Sequence, residues 1–156
     1  MGFKHLFKAK ATWLSTQKQE ISTLKTYSKS HIITIEDKPI LNVSAAKVFK
    51  GDPKLFNPED LLLSSIVSCH MMSYLYVCRQ EGIEVLYYTD EAQAILEVVT
   101  GGSGRFIEVQ LNPKVVIKDP EKIIQALSLH KKANELCFIA NSCNFPILHS
   151  PTCEIV

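Results

Sequence analysis

The strongest helix signal in this chain is the run Asn57-Pro-Glu-Asp-Leu-Leu-Leu-Ser-Ser-Ile-Val-Ser-Cys-His-Met-Met-Ser-Tyr-Leu75. Asn57 is a favourable N-cap residue, and Pro58 suits the first helical position because its missing N–H has no helical partner there. Two acidic residues follow in the first turn, where they complement the helix dipole, and Gly82 is a typical residue for ending a helix. The pattern predicts a helix from Pro58 to Glu81.

This helix is apolar around most of its circumference rather than along one stripe. Its apolar side chains include Leu61, Leu62, Leu63, Ile66, Val67, Met71, Met72, Leu75 and Val77. A surface helix hides a single face, so a helix of this composition must be covered on several sides. A two-fold dimer in which such helices pack across the axis would cover it.

Two cysteines are placed in relation to predicted helices. Cys69 lies in the middle of the first helix, and Cys137 follows a second helix in the run Ala133-Asn-Glu-Leu-Cys-Phe-Ile-Ala-Asn141. A thiol in apolar surroundings is normally inert, because desolvation holds it protonated. Either cysteine would therefore react only if charged neighbours offset that effect.

The remaining pattern predicts strands before and between the two helices. A second helix opens at Asp119-Pro120 and runs to about Leu136, and Gly101-Gly-Ser-Gly104 reads as a hairpin turn. The predicted strands cover residues 3–13, 21–28, 31–36, 83–89, 91–100, 105–117 and 153–156. Strands and helices connected by hairpins favour an α+β fold with antiparallel sheet over a parallel βαβ array.

Composition narrows the class of protein. The chain has 156 residues, of which 46% are hydrophobic and 21% are charged, so we expect one domain spanning residues 1–156. Its formal net charge is +1 without a long basic run, which argues against nucleic-acid and membrane partners. No signal peptide is evident, and five cysteines, an odd number, fit a cytoplasmic protein better than a disulfide framework.

The chain resembles the OsmC/Ohr family of osmotically inducible and organic hydroperoxide resistance thiol peroxidases. The resemblance rests on Asn57-Pro-Glu-Asp-Leu-Leu62, on Ser68-Cys-His70, and on Cys137 leading into Ala140-Asn-Ser142. The run from Cys137 departs from the Cys-Pro-Tyr-Ser pattern of the Ohr branch and looks more like the OsmC-like branch. The resemblance implies antiparallel sheets around a long central cysteine-bearing helix, in an intertwined homodimer.

The resemblance also implies a stress-response peroxidase that needs no cofactor. Cys69 would attack an organic hydroperoxide and become a sulfenic acid, and Cys137 would condense with it to a disulfide. A small dithiol, of lipoyl type in the family, would return the electrons. Substrate and reductant are thus the expected partners, together with a second copy of the chain.

The family also implies a carboxylate and a cation that activate the thiol. Glu59 would be the carboxylate, but it lies about 15 Å along the helix from Cys69, so it would act on the partner subunit's thiol. Family members use an N-terminal arginine in a Tyr-Ser-Arg-x-His pattern, where this chain has Lys29. Lys29 is therefore the expected cation, with Arg105 as the alternative.

Other readings of the same residues are open. His70 directly follows Cys69, but neighbours on a helix point about 100° apart, so we expect a packing or polar-network role. Cys78 cannot reach Cys69 along the helix, Cys143 is a spare resolving thiol, and Cys153 has no assigned role. A zinc site would have to draw on His130, Cys137, Cys143, His149 and Cys153, whose spacings are loose.

Two other functions compete with the peroxidase. One is a redox-sensing or lipid-binding protein with little turnover, since a lysine in place of the family arginine weakens the activation of Cys69. The other is a metal-binding or purely structural domain. Peroxide consumption separates the first from the peroxidase, and metal analysis tests the second.

Overall fold

The computed structural model describes residues 2–14 and 27–156, so most of the strand predicted over residues 21–28 lies outside the described residues. Two α-helices lie in the described part, α1 at Pro58–Gln80 and α2 at Ile123–Leu136. The strands found there are β1 Lys10–Thr12, β2 His31–Thr34, β3 Leu41–Val43, β4 Val85–Asp90, β5 Gln93–Val98, β6 Gly104–Leu111, β7 Pro113–Ile117, β8 Ile147–His149 and β9 Thr152–Ile155. The α+β class predicted from the sequence is confirmed.

The chain divides into two compact units, Met1–Leu61 and Leu62–Val156. The first unit holds a three-stranded antiparallel sheet in the order β1-β2-β3. The strand predicted over residues 3–13 is shortened to Lys10–Thr12, because a strand extends only where a partner pairs with it and β2 has four residues. The single domain expected from chain length stays a prediction.

The start and the end of α1 follow the predicted caps. The Asn57 side-chain oxygen accepts a hydrogen bond from the Asp60 backbone N–H at 2.8 Å, which satisfies one of the free donors of the first turn. At the other end, Gly82 adopts a φ of 65°, a left-handed conformation that favours glycine. The predicted helix is therefore confirmed to within a residue, ending at Gln80.

The second unit holds two three-stranded sheets, in the orders β4-β7-β9 and β5-β6-β8. The strand predicted as continuous over residues 105–117 is wrong, because it is divided between the two sheets. The break falls at Asn112, whose backbone N–H donates to the Asp90 carboxylate at 2.8 Å rather than to a neighbouring strand. Pro113 follows and has no N–H to give to a ladder, so β7 starts afresh in the other sheet.

Both sheets of the second unit are mixed. The hairpin pairs β5 and β6 antiparallel as predicted, and β4 pairs β7 antiparallel. The sequence did not predict β8, and both β8 and β9 join their sheets in parallel, beside β6 and β7 respectively. The predicted antiparallel pairs are therefore present, and each sheet gains one parallel strand because two short C-terminal strands return to distant partners.

Among the described residues, the buried side chains of α1 form one stripe along the helix. It consists of Ile66, His70, Tyr74, Val77 and Cys78, which recur at the three- and four-residue spacing of one helix face. By length and apolar composition α1 could also cross a membrane, but the core helix of a folded domain passes the same test. The buried stripe of α1 packs into the core of the second unit. Several apolar side chains on its other faces are exposed, including Met72 and Tyr76.

The core of the second unit contains a cluster of buried histidine rings. His70 on α1 and His130 on α2 are 1% and 2% exposed, and His70 Nε2 lies 3.1 Å from His130 Nδ1. The His149 ring lies 4.6 Å from the His70 ring, and the Tyr74 ring stacks on His130 at 3.9 Å. Burial lowers the pKa of His70 to about 4 and that of His130 to about 3, and the neighbouring imidazoles add to the effect.

These lowered pKa values predict an acid-labile core. The unfolded chain binds protons at His70 and His130 below pH 6.5, whereas the folded chain resists them to about pH 4 and pH 3. The stabilisation is therefore complete above pH 6.5 and is lost as the pH falls from there. We expect the free energy of unfolding, measured with urea at constant ionic strength, to fall by about 3 kcal/mol between pH 7 and pH 5.

The control is the double variant His70→Phe/His130→Phe, which keeps two rings in place and removes both titrating groups. We expect the decrease between pH 7 and pH 5 to shrink by more than half in this variant. An equally steep decrease in both proteins would contradict the assignment of the acid lability to these histidines.

Candidate functional site

Cys69 lines an apolar cavity on the surface of the second unit. The thiol is partly buried, and the cavity has a volume of about 370 Å³. Its other lining residues are Met72, Ser73, Tyr76, Leu136 and Phe138. A small organic molecule with an apolar tail fits such a lining, and it would lie directly against the sulfur of Cys69.

Cys137 is completely buried at the end of α2 and is held by a well-bonded loop. Its backbone N–H donates to the Asn134 carbonyl at 3.2 Å, and its carbonyl accepts from the Asn141 N–H at 3.0 Å. The Ala140 N–H points at the Cys137 sulfur at 3.4 Å. These contacts fix the position of the sulfur, so the thiol is not on a freely moving segment.

The two predicted catalytic thiols are brought together. Cys137 lies beside Cys69, and burial followed by the effect of the neighbouring Cys69 thiol raises the pKa of Cys137 to about 11. Cys137 therefore remains a protonated thiol near neutral pH.

The other three cysteines lie elsewhere. Cys78 is completely buried beside Tyr74, Cys143 directs its thiol at the Ile139 carbonyl at 3.2 Å, and Cys153 packs against the core. Burial raises the pKa of all three thiols. Each of them is a less reactive nucleophile in this environment than a thiol that lines an open cavity.

Glu59 lies in the first turn of α1, within the first unit. Its Oε2 atom is buried and has no hydrogen-bond partner among residues 2–14 and 27–156. A carboxylate oxygen is costly to bury without a donor, so this atom is suited to receive a cation or an N–H group. The predicted pairing of Glu59 with a cation stays a prediction.

Lys29 also lies in the first unit and has a defined contact there. Its ammonium donates to the Phe49 carbonyl, and its own carbonyl accepts from the His31 ring at 3.0 Å if Nδ1 is protonated. Lys29 lines a second cavity of about 470 Å³ with Trp13 and Tyr27. In the described part of the chain no ion pair joins Lys29 to Glu59, and the activating role of Lys29 stays a prediction.

Arg105, His70 and the residues of the conceivable zinc site also have defined positions. Arg105 is exposed on β6, lies opposite Glu97 on β5, and does not line the Cys69 cavity. His70 points into the core towards His130, which confirms the expected polar-network role. Across the described residues no three His, Cys, Asp or Glu side chains converge as ligands for a metal ion.

Sequence reasoning missed most of the cavity lining. Ser73 and Tyr76 follow Cys69 by four and seven residues, and this spacing places all three on one face of α1. Phe138 directly follows the second cysteine and is 82% exposed. The helical spacing was a usable signal for Ser73 and Tyr76, whereas the position of Phe138 depends on how α2 packs against α1.

Comparison with known proteins supports the resemblance inferred from the sequence. A family model described as OsmC-like protein matches residues 51–150. An uncharacterized protein of Bacillus subtilis, YmaD, is 24% identical over 141 residues, which cover 88% of this chain and 86% of that protein.

Solved structures of OsmC-like and organic hydroperoxide resistance proteins have the same fold as this chain. An OsmC-like protein of unknown function from Vibrio cholerae is 27% identical with a TM-score of 0.84, over 95% of this chain and 99% of that one. An organic hydroperoxide resistance protein from Elizabethkingia anophelis is 17% identical with a TM-score of 0.71, over 100% of both chains. The matched family region covers well over half of this sequence, and the chain therefore belongs to the OsmC-like protein family.

Proposed function

We propose that this protein is a thiol-dependent peroxidase that reduces organic hydroperoxides to alcohols through Cys69 and Cys137. The observation that carries the proposal is the placement of these two thiols beside each other at an apolar cavity. Membership of the OsmC-like family, and a fold shared with an organic hydroperoxide resistance protein, support it.

The reaction proceeds in two steps at sulfur. The Cys69 thiolate attacks the terminal oxygen of the hydroperoxide, the O–O bond breaks, and the alkoxide leaves as an alcohol after taking a proton. Cys69 is then a sulfenic acid. The Cys137 sulfur attacks it, the disulfide forms, and the sulfenic hydroxyl leaves as water.

A dithiol reductant completes the cycle by two thiol–disulfide exchanges. The dithiol becomes a disulfide, and both cysteines return to thiols. The balance is one hydroperoxide and one dithiol consumed for one alcohol, one water and one disulfide formed. No cofactor takes part in any of these steps.

The cavity accounts for a preference for organic over inorganic peroxide. Met72, Tyr76 and Phe138 offer apolar surface to the carbon chain of the substrate, which hydrogen peroxide lacks. Burial of each methylene group contributes about 0.8 kcal/mol, so a chain of a few carbons raises affinity by orders of magnitude. The same cavity is too small for a folded protein ligand and suits a lone acyl or aryl group.

The activating charges belong to Lys29 and Glu59 in this proposal. Lys29 supplies a positive charge that favours the Cys69 thiolate, and Glu59 holds the ammonium in place. The buried and unpartnered Oε2 atom of Glu59, within the described residues, supports a role as acceptor for that cation. Because Glu59 and Cys69 are ten residues apart on one helix, the carboxylate serves the Cys69 of the partner subunit.

A homodimer is part of the proposal. Met72, Tyr76 and Phe138 are 58%, 58% and 82% exposed and surround the Cys69 cavity. A contiguous apolar surface of this kind is typical of an interface, and a two-fold contact between α1 helices would cover it. The dimer also brings the partner subunit's first unit to the site.

A second candidate function is a redox-sensing or lipid-binding protein that turns over slowly. It is favoured by the raised pKa of Cys137, about 11, because little of this thiol is ionised and its attack on a sulfenic acid is slow. The two functions differ in rate rather than in products. Steady-state peroxide consumption with dithiothreitol or dihydrolipoamide as reductant separates them.

The two thiols are tested by serine variants. We expect Cys69→Ser to lower consumption of cumene hydroperoxide about a thousandfold or more, because a hydroxyl cannot replace the thiolate nucleophile. Cys137→Ser should release one alcohol per protein and leave Cys69 as a sulfenic or higher acid, measured by mass spectrometry. Cys143→Ser is the matched control and should consume cumene hydroperoxide at the rate of the unmodified protein. Equal rates of consumption for Cys69→Ser and the unmodified protein would exclude the peroxidase function.

The cation is tested by three lysine variants. We expect Lys29→Met to lower the rate of Cys69 oxidation by about tenfold, equivalent to roughly 1.4 kcal/mol, through loss of the charge that favours the thiolate. Lys29→Arg should preserve or raise the rate, since a guanidinium grips a carboxylate with two hydrogen bonds. Lys47→Met removes an exposed lysine of the first unit and serves as the control. If Lys29→Met oxidises and titrates like the unmodified protein, Arg105 is the next residue to test.

The dimer is tested at the exposed face of α1. We expect Tyr76→Glu to convert a dimer to a monomer in sedimentation velocity at micromolar concentration, because it buries a charge in the apolar contact. Ile124→Glu changes an equally apolar side chain, 83% exposed at the start of α2, and should leave the dimer intact. A monomeric unmodified protein would contradict both the interface and the shared site.

A further inference from the structure

The histidine rings in the core belong to a series of polar contacts between α1 and α2. Tyr74 donates its hydroxyl hydrogen to the Ala126 carbonyl at 3.2 Å, and His70 Nε2 lies 3.1 Å from His130 Nδ1. Cys69 and Cys137 lie beside each other next to these contacts. Along α1 the two contacts descend from residue 74 to 70 while their partners ascend from 126 to 130, so α1 and α2 run antiparallel.

The His70–His130 contact is the one next to the two thiols. His70 directly follows Cys69, and His130 precedes Cys137 by seven residues, which is two turns of α2. Ala126 and Ala133 lie with His130 on the buried face of α2. Apolar contacts between helices tolerate small sliding, whereas a hydrogen bond between two rings specifies a distance and an orientation.

The hydrogen bond requires at least one of the two rings to be neutral. One ring must donate and the other accept, and two imidazolium rings would both be donors. The titratable groups that face this pair are Tyr74 on α1 and His149 at the end of β8, with Cys78, Tyr88 and Cys153 beyond Tyr74. Within the described residues, the charge effects on both rings come from other histidines and from no carboxylate.

The ring nitrogens that point away from the His70–His130 contact lower the stability of the fold, because they are buried without hydrogen bonds among the described residues. His70 Nδ1, His130 Nε2 and His149 Nε2 are buried and have no hydrogen-bond partner in the part of the chain that is described. Apolar rings of the same shape would fill this space without that cost. The His70–His130 pair therefore adds little stability to the fold. Its role is better explained by the distance and orientation that it specifies between α1 and α2.

We propose that the hydrogen bond between His70 and His130 positions the resolving cysteine: it fixes α2 against α1 and so holds the Cys137 sulfur within bonding reach of Cys69. Both histidines are positioning residues, since neither touches the reacting atoms. The inference rests on the redox pairing of Cys69 and Cys137 in the proposed function. It assigns the disulfide-forming step, and not the attack on peroxide, to this contact.

The experiment measures how readily the two thiols form a disulfide without any peroxide. The protein is equilibrated with oxidised and reduced dithiothreitol at pH 7.5, where two protein thiols become a disulfide as oxidised dithiothreitol is reduced. Mass spectrometry of peptides quantifies the Cys69–Cys137 link. The equilibrium constant reports the effective concentration of one thiol at the other, which is the quantity that positioning changes.

Three substitutions at the pair separate positioning from damage to the core. His130→Phe keeps a ring against Tyr74 but removes the hydrogen bond, and we expect the equilibrium constant to fall at least tenfold. His130→Asn places an amide where Nδ1 lies, and it should restore the constant to within about threefold. The double variant His70→Phe/His130→Phe leaves no unpaired nitrogen at the contact. Its equilibrium constant should decrease as much as that of His130→Phe. The double variant replaces His130→Phe in the test if the single variant does not fold.

Ile66→Val is the matched control for general weakening of the core. It trims a completely buried side chain of α1 that belongs to another apolar cluster, so it lowers stability but should leave the constant within twofold. The proposal is overturned if the phenylalanine variants match the unmodified protein, if His130→Asn gives no recovery, or if the unmodified protein forms no Cys69–Cys137 link. A protein that forms the link yet consumes no hydroperoxide would contradict the proposed function and leave the positioning role intact.

Discussion

The antiparallel contact between α1 and α2 is the constraint on which the chemistry of the second unit depends. It brings Cys69 from the middle of one helix beside Cys137 at the end of the other. The His70–His130 and Tyr74–His130 ring contacts join the two helices next to the thiols. A loop with its own hydrogen bonds then holds Cys137, so the sulfur stays in place after α2 ends.

The two thiols sit in environments that suit different tasks. Cys69 borders an open apolar cavity, whereas Cys137 is completely buried and its pKa is raised to about 11. In the proposed reaction the peroxide reaches Cys69 through this cavity, and the buried Cys137 is the thiol that resolves the sulfenic acid.

Local signals in the sequence were enough for α1 and for the hairpin between β5 and β6, because caps and glycine turns act within a few residues. The break at Asn112 and the parallel addition of β8 and β9 were not predictable, since they depend on partners far away in the chain. Cys69 and Cys137 were identified through a family resemblance. The ring contact was missed because His70 and His130 are sixty residues apart.

In the proposed function, Cys69 and Cys137 form one redox pair driven by an organic hydroperoxide. The most direct test adds one equivalent of cumene hydroperoxide to the reduced protein and maps every cysteine by peptide mass spectrometry. The account predicts one equivalent of alcohol and a peptide link between Cys69 and Cys137, with Cys78, Cys143 and Cys153 still free thiols. Unconsumed hydroperoxide, or oxidation that leaves Cys69 and Cys137 as thiols, would contradict it.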